Sequence, residues 1–481
     1  MDAERDSGLL RADALGTAGV VFLVLAAVAP LTGIVVIASL GIALGSGGGM
    51  PGAFVIASAI LILFGIGYAQ MSRIVTGAGG FSVYVSRAMG RPLGLVAAFV
   101  AVLGYNCFVA GALGTSGFFT ANVVEQVFGA KTPWQLWSLL SAVAVFLLGR
   151  RGVEVSAKVL GVSLVLEVAI LLVLDFAVLF RTGLSARAFS PGVVFGGSTG
   201  IAFLFAFNAF VGFEATGLFS EEARRPARTI PRATYIAILL IGCFAAFTTW
   251  AIVSALGVEN AGQAGRDHLA TGDLVFSVAR THLGTFLLDV MMLLLVVSLF
   301  AALLALHNSA TRYLFALGRS RVLPAVLGRT RPASGAPYVA SAVQIGFAVV
   351  VAAGYAIAGL DPLADLTASM TGIGTLGIIA LQAMAGIAVV VFFRRRGDPR
   401  IWKTAIAPGL GGICLIGVTV LAIANFPTLA GSAAPVIALL PWLLVVALVA
   451  GLGVAAWLRR SKPEVYQGLP SFDQDKPGSP V

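Results

Sequence analysis

Twelve stretches of about 20 mostly apolar residues, the length a spanning helix needs, run through this 481-residue chain, separated by polar turns. That pattern constrains the fold more than any motif does. In hydrocarbon every backbone N–H and C=O must be bonded within the protein, so such a chain becomes a bundle of membrane-spanning helices. The spans read as 15–43, 51–71, 93–124, 134–150, 158–181, 198–219, 233–256, 281–308, 338–358, 366–393, 404–425 and 434–458. Hydrophobic residues make up 59% of the chain and charged residues 11%, against about a quarter charged in a soluble protein. A signal peptide is the competing reading of the first span, because its apolar run is followed by Ala27-Val28-Ala29. The leader "MDAERDSGLLRAD" has mixed charge and no basic n-region, so the first span is read as an uncleaved helix.

The net charge of +10 suits nucleic acid or an anionic membrane face, and its distribution decides between them. With both termini cytoplasmic, 26 of the 31 Lys and Arg residues fall in cytoplasmic segments. The other five, Lys131, Arg181, Arg187, Arg266 and Arg280, fall outside. The positive-inside rule therefore favours twelve spans in a multi-pass protein of the cell (cytoplasmic) membrane, with the lipid bilayer and no nucleic acid as partner. Residues 1–14 form a cytoplasmic N-terminus, and the Pro/Gly/Ser/Asp-rich 459–481 is expected to be a disordered cytoplasmic tail. The three cysteines are far apart in apolar segments and read as small packing residues.

Two spans carry helix breakers at corresponding places. The first holds "APLTGIVVI", in which Pro30 interrupts the ladder and Thr32 and Gly33 follow. The sixth holds "FVGFEAT", with Gly212 and Glu214 inside an apolar run. An offset of five spans is odd, so the second break enters the membrane from the opposite side. Residues 15–181 and 198–393 then form two inverted five-helix repeats, with 404–458 as two added helices. Secondary transporters place their sites at such paired interruptions. Freed N–H groups at a half-helix start suit a carboxylate, and freed carbonyls suit an ammonium or a cation. Two crossed breaks thus make a site for a zwitterion.

Phe210-Val211-Gly212-Phe213-Glu214, followed by "SEEARRPARTIPRA", resembles the sixth helix and following loop of the amino acid–polyamine–organocation (APC) superfamily. The pattern there is F-x-G-[FY]-[DE], then E-E-x-x-x-P-x-[RK]-x-[IL]-P. Thr32-Gly33-Ile34-Val35 resembles that family's first-helix motif, "TRYLFALGRSRVLP" its motif after helix 8, and "YAQMSRIVTGAGGFSVYVSRAMGRPLG" its loop between helices 2 and 3. The likeness covers roughly residues 15–460. Leu31 replaces the usual first glycine of the helix-1 motif, Val35 replaces the usual aromatic, and Pro30 precedes both. These departures imply that helix 1 breaks one residue earlier or with a different shape. The resemblance implies an all-α polytopic membrane protein with an inverted 5+5 repeat (LeuT/APC-like) plus two extra helices, and with helices 1 and 6 discontinuous.

Candidate substrate-binding residues are Thr32, Gly33, Ile34, Tyr105, Asn106, Phe210, Gly212, Phe213 and Glu214. Phe203, Phe207 and Phe210 share one helical face, where core packing competes with a gating role for Phe207 and Phe210. Glu214 either caps freed N–H groups or meets the amine of a substrate. Asn106 suits helix–helix bonding as well as substrate contact. Glu167 lies nine residues past Lys158, roughly 13–14 Å along a helix and near mid-bilayer. Proton-dependent APC members resemble this chain there but carry a lysine, so the resemblance implies an ion- or proton-coupling role for Glu167. A structural carboxylate between helices 1, 5 and 8 is the alternative. Glu221 and Glu222 with Arg224 and Arg225 read as a cytoplasmic gate or a lipid-binding patch. Asp175, six residues before Arg181, is expected to reach outward, and His307 and Asn308 to pair with Arg312 at the cytoplasmic rim.

These features point to a secondary active transporter (permease) of amino acids, neutral ones first, working as a symporter or antiporter by alternating access. Cationic amino acids or polyamines are the alternative substrates. A nutrient receptor or complex subunit that keeps the fold is a third reading, with monomer and homodimer both open. No cofactor is expected beyond a coupling H+ or Na+. The ATP-binding fingerprint G-x-x-x-x-G-K-[ST] and the metalloprotease pattern H-E-x-x-H are both absent, and His268, His282 and His307 are dispersed. A pump and an enzyme are accordingly disfavoured. The glycine-rich "GSGGGMPG" at 45–52 reads as a flexible loop or re-entrant cap.

Overall fold

A computed structural model describes residues 16–75, 80–149, 153–214, 216, 223–331, 335–429 and 435–470. The described chain is all-helical. In order it forms α1 (Thr17–Val28), α2 (Pro30–Leu44), α3 (Met50–Met71), α4 (Phe81–Met89), α5 (Arg91–Phe128) and α6 (Trp134–Gly149). Then come α7 (Val153–Arg181), α8 (Thr199–Asn208), α9 (Pro226–Leu256), α10 (Ala261–Asp267), α11 (Leu274–Leu283) and α12 (Thr285–Arg319). The chain ends with α13 (Tyr338–Ile357), α14 (Pro362–Arg395), α15 (Trp402–Leu429), α16 (Val436–Ser461) and α17 (Pro463–Gly468). Among the described residues nine helices are long and apolar enough to cross a membrane. Three shorter apolar helices, α2, α6 and α8, accompany them.

The 38-residue α5, about 57 Å long at 1.5 Å per residue, is the axis of the bundle. It packs on α12, α14, α16 and α6. Its contact with α14 is backbone on backbone. A Cβ on Gly377 would lie 3.0 Å from the Cα of Gly104, and one on Gly374 would lie 2.9 Å from the Gly104 carbonyl oxygen. Small residues permit this approach, which is how helices associate where lipid removes the hydrophobic drive. The outer surface is correspondingly apolar, with Leu139, Val162, Phe180, Val350, Ile413 and Val449 exposed.

Three parts of the chain differ from expectation. Of the two readings of the glycine-rich turn, the flexible loop is the one that fails: Gly47–Gly49 forms a 3-10 turn, and Gly48 and Gly49 are buried against Val258 and Val193. Asp175 does not reach outward. The 3.6-residue period puts it on the same buried side of α7 as Leu171, Leu174 and Val178, and it is 0% exposed. His307 lies in the core, where Nδ1 bonds Gln344 Oε1 and Nε2 lies 2.8 Å from Ser341 Oγ.

The tail is ordered further than its composition predicts. α17 follows Lys462, and Arg91 donates to the carbonyls of Leu469 (3.1 Å) and Gln467 (2.8 Å). Ser86 Oγ donates to Pro470 O at 2.6 Å, and Leu469 is buried with Leu95, Leu317 and Val322. Specific donors for free carbonyls, plus one buried leucine, hold a segment that composition alone assigns to disorder; 471–481 lies outside the described residues. Arg91→Ala removes two charge-assisted bonds. It should raise amide exchange over 463–470 by about a hundredfold or more, the size of two such bonds' net contributions. Unchanged exchange would show that the leucine contact and the Ser86–Pro470 bond suffice.

Candidate functional site

The first break lies at Ala29, with φ 46° and ψ 83° in the left-handed region. The residue before a proline is kept out of the α region, so Pro30 displaces its predecessor and then opens α2 at its first position. Thr32 and Gly33, expected within the break, are helical, Gly33 with φ −56°. The stretch that follows, Gly33–Ala38, is π-helical.

Pro30 has no N–H, and the next two amides turn to side chains. Leu31 N–H donates to Glu167 Oε2 at 3.3 Å, and Thr32 N–H donates to Ser298 Oγ at 3.3 Å. Ser298 Oγ donates to Glu167 Oε2 at 2.7 Å and lies 2.9 Å from Thr32 Oγ1. Ser163 Oγ donates to Glu167 Oε1 at 2.8 Å. Glu167 is 2% exposed, so one buried carboxylate gathers α2, α7 and α12. The half-helix amides expected to face a substrate carboxylate are bonded within the protein here.

The second break begins where α8 ends at Asn208. Residues 209–214 form turns, and Gly212 has φ 115°. Only glycine takes that conformation without strain. Glu214 folds back on the break: Oε2 accepts from Gly212 N–H at 3.1 Å, and Oε1 accepts from Tyr105 OH at 2.5 Å. It is 2% exposed. Of its two expected roles, the geometry contains the cap, with Tyr105 as second donor. Thr216 lies 3.0 Å from Tyr68 OH and 3.2 Å from Thr234 Oγ1, which ties the chain beyond the break to α3 and α9.

A small cavity lies between the breaks. Val28, Thr32, Gly33 and Val36 from the first break line it, with Asn208, Ala209 and Val211 from the second. α5 adds Phe108 and Thr115, α12 adds Leu299 and Leu306, and α14 adds Thr371. No lining residue is charged. Thr115 and Thr371 bond carbonyls one turn back, those of Gly111 and Thr367. Asn208 differs. It is 3% exposed, and its Nδ2 has no hydrogen-bond partner.

Of the predicted substrate-binding residues, Thr32 and Gly33 line this cavity. Ile34 and Tyr105 are buried outside its lining, and Asn106 Nδ2 bonds Val102 O at 2.7 Å on its own helix. Phe210 faces α9, its Cζ 3.4 Å from where a Cβ of Gly242 would lie. Phe213 meets Phe64 of α3 edge-on at 6.4 Å. Phe207 is buried, and Arg224 and Arg225 are exposed ahead of α9. Glu221 and Glu222 lie outside the described residues. Asn208, Thr115, Thr371 and Ser298 were missed as candidates. Only Asn208 carried a local signal, a lone amide in the apolar "FAFNAF" directly before the break.

Known proteins bear on this geometry. The chain is 25% identical to the branched-chain amino acid permease BcaP of Bacillus subtilis over 402 residues, 80% of this chain and 82% of that protein. It is also 25% identical to the methylthioribose transporter of Bacillus subtilis over 407 residues, 80% of this chain and 83% of that protein. A crystal structure of a manganese transporter of Eremococcus coleocola superposes with a TM-score of 0.55 at 14% identity, covering 93% of this chain and 95% of that one. At that identity the likeness speaks for the fold alone. The amino acid permease profile matches residues 15–456, and the chain therefore belongs to the amino acid permease family, whose members are multi-pass membrane transporters and not enzymes.

Proposed function

We propose that this permease is a secondary transporter of neutral amino acids, driven by a proton and working by alternating access. The carrying observation is the uncharged cavity between the two helix breaks, with Asn208 as its one unpartnered buried amide. Polyamines and cationic amino acids call for carboxylates at the site. The carboxylates beside the two breaks, Glu167 and Glu214, are outside the lining and bonded elsewhere, which supports neutral substrates. The wall of Val28, Val36, Ile37, Phe108, Leu299 and Leu306 suits an apolar side chain, in keeping with the branched-chain amino acids named for BcaP.

In this reading the substrate carboxylate takes the Thr32 N–H from Ser298. That bond is long at 3.3 Å and is readily exchanged for a charged acceptor. Asn208 Nδ2 gains an acceptor from the same ligand. Glu167 couples the ion. Ionised, it accepts from Leu31, Ser163 and Ser298 together. A proton on Oε2 turns one acceptor into a donor, which opposes the Leu31 N–H and loosens α2 from α7. The charge asymmetry of 26 against five basic residues supports twelve spans with both ends cytoplasmic. Interruptions at Ala29 and Gly212, five spans apart, support the inverted repeats 15–181 and 198–393, followed by 404–458.

A thermal-shift screen of the twenty amino acids and common amines, followed by counterflow in proteoliposomes, tests the substrate class. Neutral apolar amino acids should raise the melting temperature and exchange across the bilayer. A response confined to amines would defeat this reading, and binding without counterflow would make the protein a receptor. Asn208→Leu should weaken substrate binding about tenfold, the size of one hydrogen bond to a charged or polar group. Unchanged affinity would remove the cavity from consideration.

A further inference from the structure

We infer that Asp175 is a second proton-binding site of this transporter, separate from Glu167, holding a neutral acid in the state seen here and ionising when α7 and α9 part. The inference rests on the transport reading for its role, and on geometry for its chemistry. Asp175 is 0% exposed. Its Oδ2 bonds Thr248 Oγ1 of α9 at 2.7 Å, and its Oδ1 has no partner. The next residue of α9, Thr249, is also 0% exposed with an unpartnered hydroxyl.

One hydroxyl is a poor counterpart for a full negative charge in a dry interior. Buried charges require a paired cation or several donors, and without them the group neutralises instead. α7 packs against α1, α2, α6, α9, α11 and α12, and α6 carries no ionisable residue. The ionisable groups these bring toward its outer half are Cys243 on α9, Arg280 and His282 on α11, and Asp289 at the start of α12, with Glu167 and Arg181 on α7 itself. Cys243, Arg280 and Asp289 are exposed. His282 lies 3.2 Å from Thr182 Oγ1, and Arg181 donates to Thr281 O. None of them is bonded to Asp175. A proton on Oδ2 removes the charge; the Thr248 hydroxyl, which donates to Oδ2 at 2.7 Å, then turns to accept it, and Oδ1 is left as an unpaired carbonyl oxygen, the more tolerable kind of orphan.

Position separates this site from Glu167. Eight residues along α7 place the two carboxyl groups about 12 Å apart, with Leu171 and Leu174 fully buried between them. No hydrogen-bonded path joins them among the described residues, so each takes its proton independently. Asp175 is one to two turns from the end of α7 at Arg181, the end assigned to the outside. Intramembrane ionisable residues mark proton and ion pathways when a cycle exposes them to water.

Infrared difference spectra of the reconstituted full-length protein, recorded as pH is stepped, read the acid directly. A protonated-carboxyl carbonyl band should be present in wild type, persist in Glu167→Gln and vanish in Asp175→Asn. In proteoliposomes Asp175→Asn should also lose part of the outer-pH dependence of uptake while still binding substrate. A band unaffected by Asp175→Asn would mean an ionised Asp175 and overturn the site. A lost band with a wild-type pH profile would make Asp175 a permanent structural acid and overturn the role. Asp175→Glu, which keeps an acid, should shift the band without abolishing it, and it decides the matter if the Asn variant does not fold. The spectra need no transport, so a protein that fails to transport would defeat the function proposed above and leave the site itself decided.

Discussion

Glu167→Gln is expected to abolish proton-driven accumulation while sparing substrate exchange. Glu167 accepts from Ser163 at 2.8 Å, Ser298 at 2.7 Å and Leu31 N–H at 3.3 Å. Glutamine keeps the size and one accepting oxygen, but it replaces the other oxygen with a permanent donor. Ser298 can reverse its hydroxyl to meet that donor, whereas the Leu31 N–H cannot. The variant therefore imitates the protonated acid at every pH. With one proton per substrate, each pH unit across the membrane supports about tenfold accumulation, and this is what the variant should forfeit. Counterflow, which needs no driving ion, should persist. Glu167→Ala differs in kind, because it strands three donors at about 1–3 kcal/mol each for those that stay buried. It should lower the melting temperature and exchange together. A wild-type pH profile in Glu167→Gln would end the coupling proposal, and loss of a sodium dependence instead would reassign the ion.

The same carboxylate shows where sequence reasoning reached and where it stopped. Glu167 was legible because a lone charge nine residues into a span has no cheap alternative to a buried role. Its partners were not. Ser298 lies 131 residues away, and nothing local distinguishes it from other serines in apolar helices. The break in the first span was legible to within one residue, because proline acts on its neighbour through covalent geometry. The cavity wall was less so. A break frees the backbone from helical periodicity, so the directions of Phe210 and Phe213 depend on Gly242 and Phe64, which approach from other helices. Asp175 was misjudged for a related reason. Its nearness to Arg181 in sequence suggested escape to the surface, but the buried stripe of α7 faces Thr248 at that level. Periodicity identifies a face, and only the packing identifies what lies on it.

Gly212→Ala should sharply weaken substrate binding through the backbone shape of the break. Gly212 holds φ at 115°, where an L side chain costs about 1–3 kcal/mol. Alanine also favours continuing the helix over breaking it, by about 1 kcal/mol relative to glycine. Together these bias against the broken form by about 2–4 kcal/mol, roughly a thirty- to thousandfold change in the ratio of broken to continuous helix, at 1.4 kcal/mol per factor of ten. Substrate affinity should fall by up to that factor, because binding draws on the broken form alone. The Gly212 N–H survives the substitution, so the bond to Glu214 is not removed directly and the loss reports on backbone shape. Gly346 supplies the control. It lies within α13 with nothing near the position of an added Cβ, and Gly346→Ala should be neutral or slightly stabilising. Equal substrate affinity in the two variants, measured by titration on purified protein, would mean that the bend at Gly212 is incidental. A loss confined to Gly212→Ala would tie substrate recognition to the place where this helix comes apart.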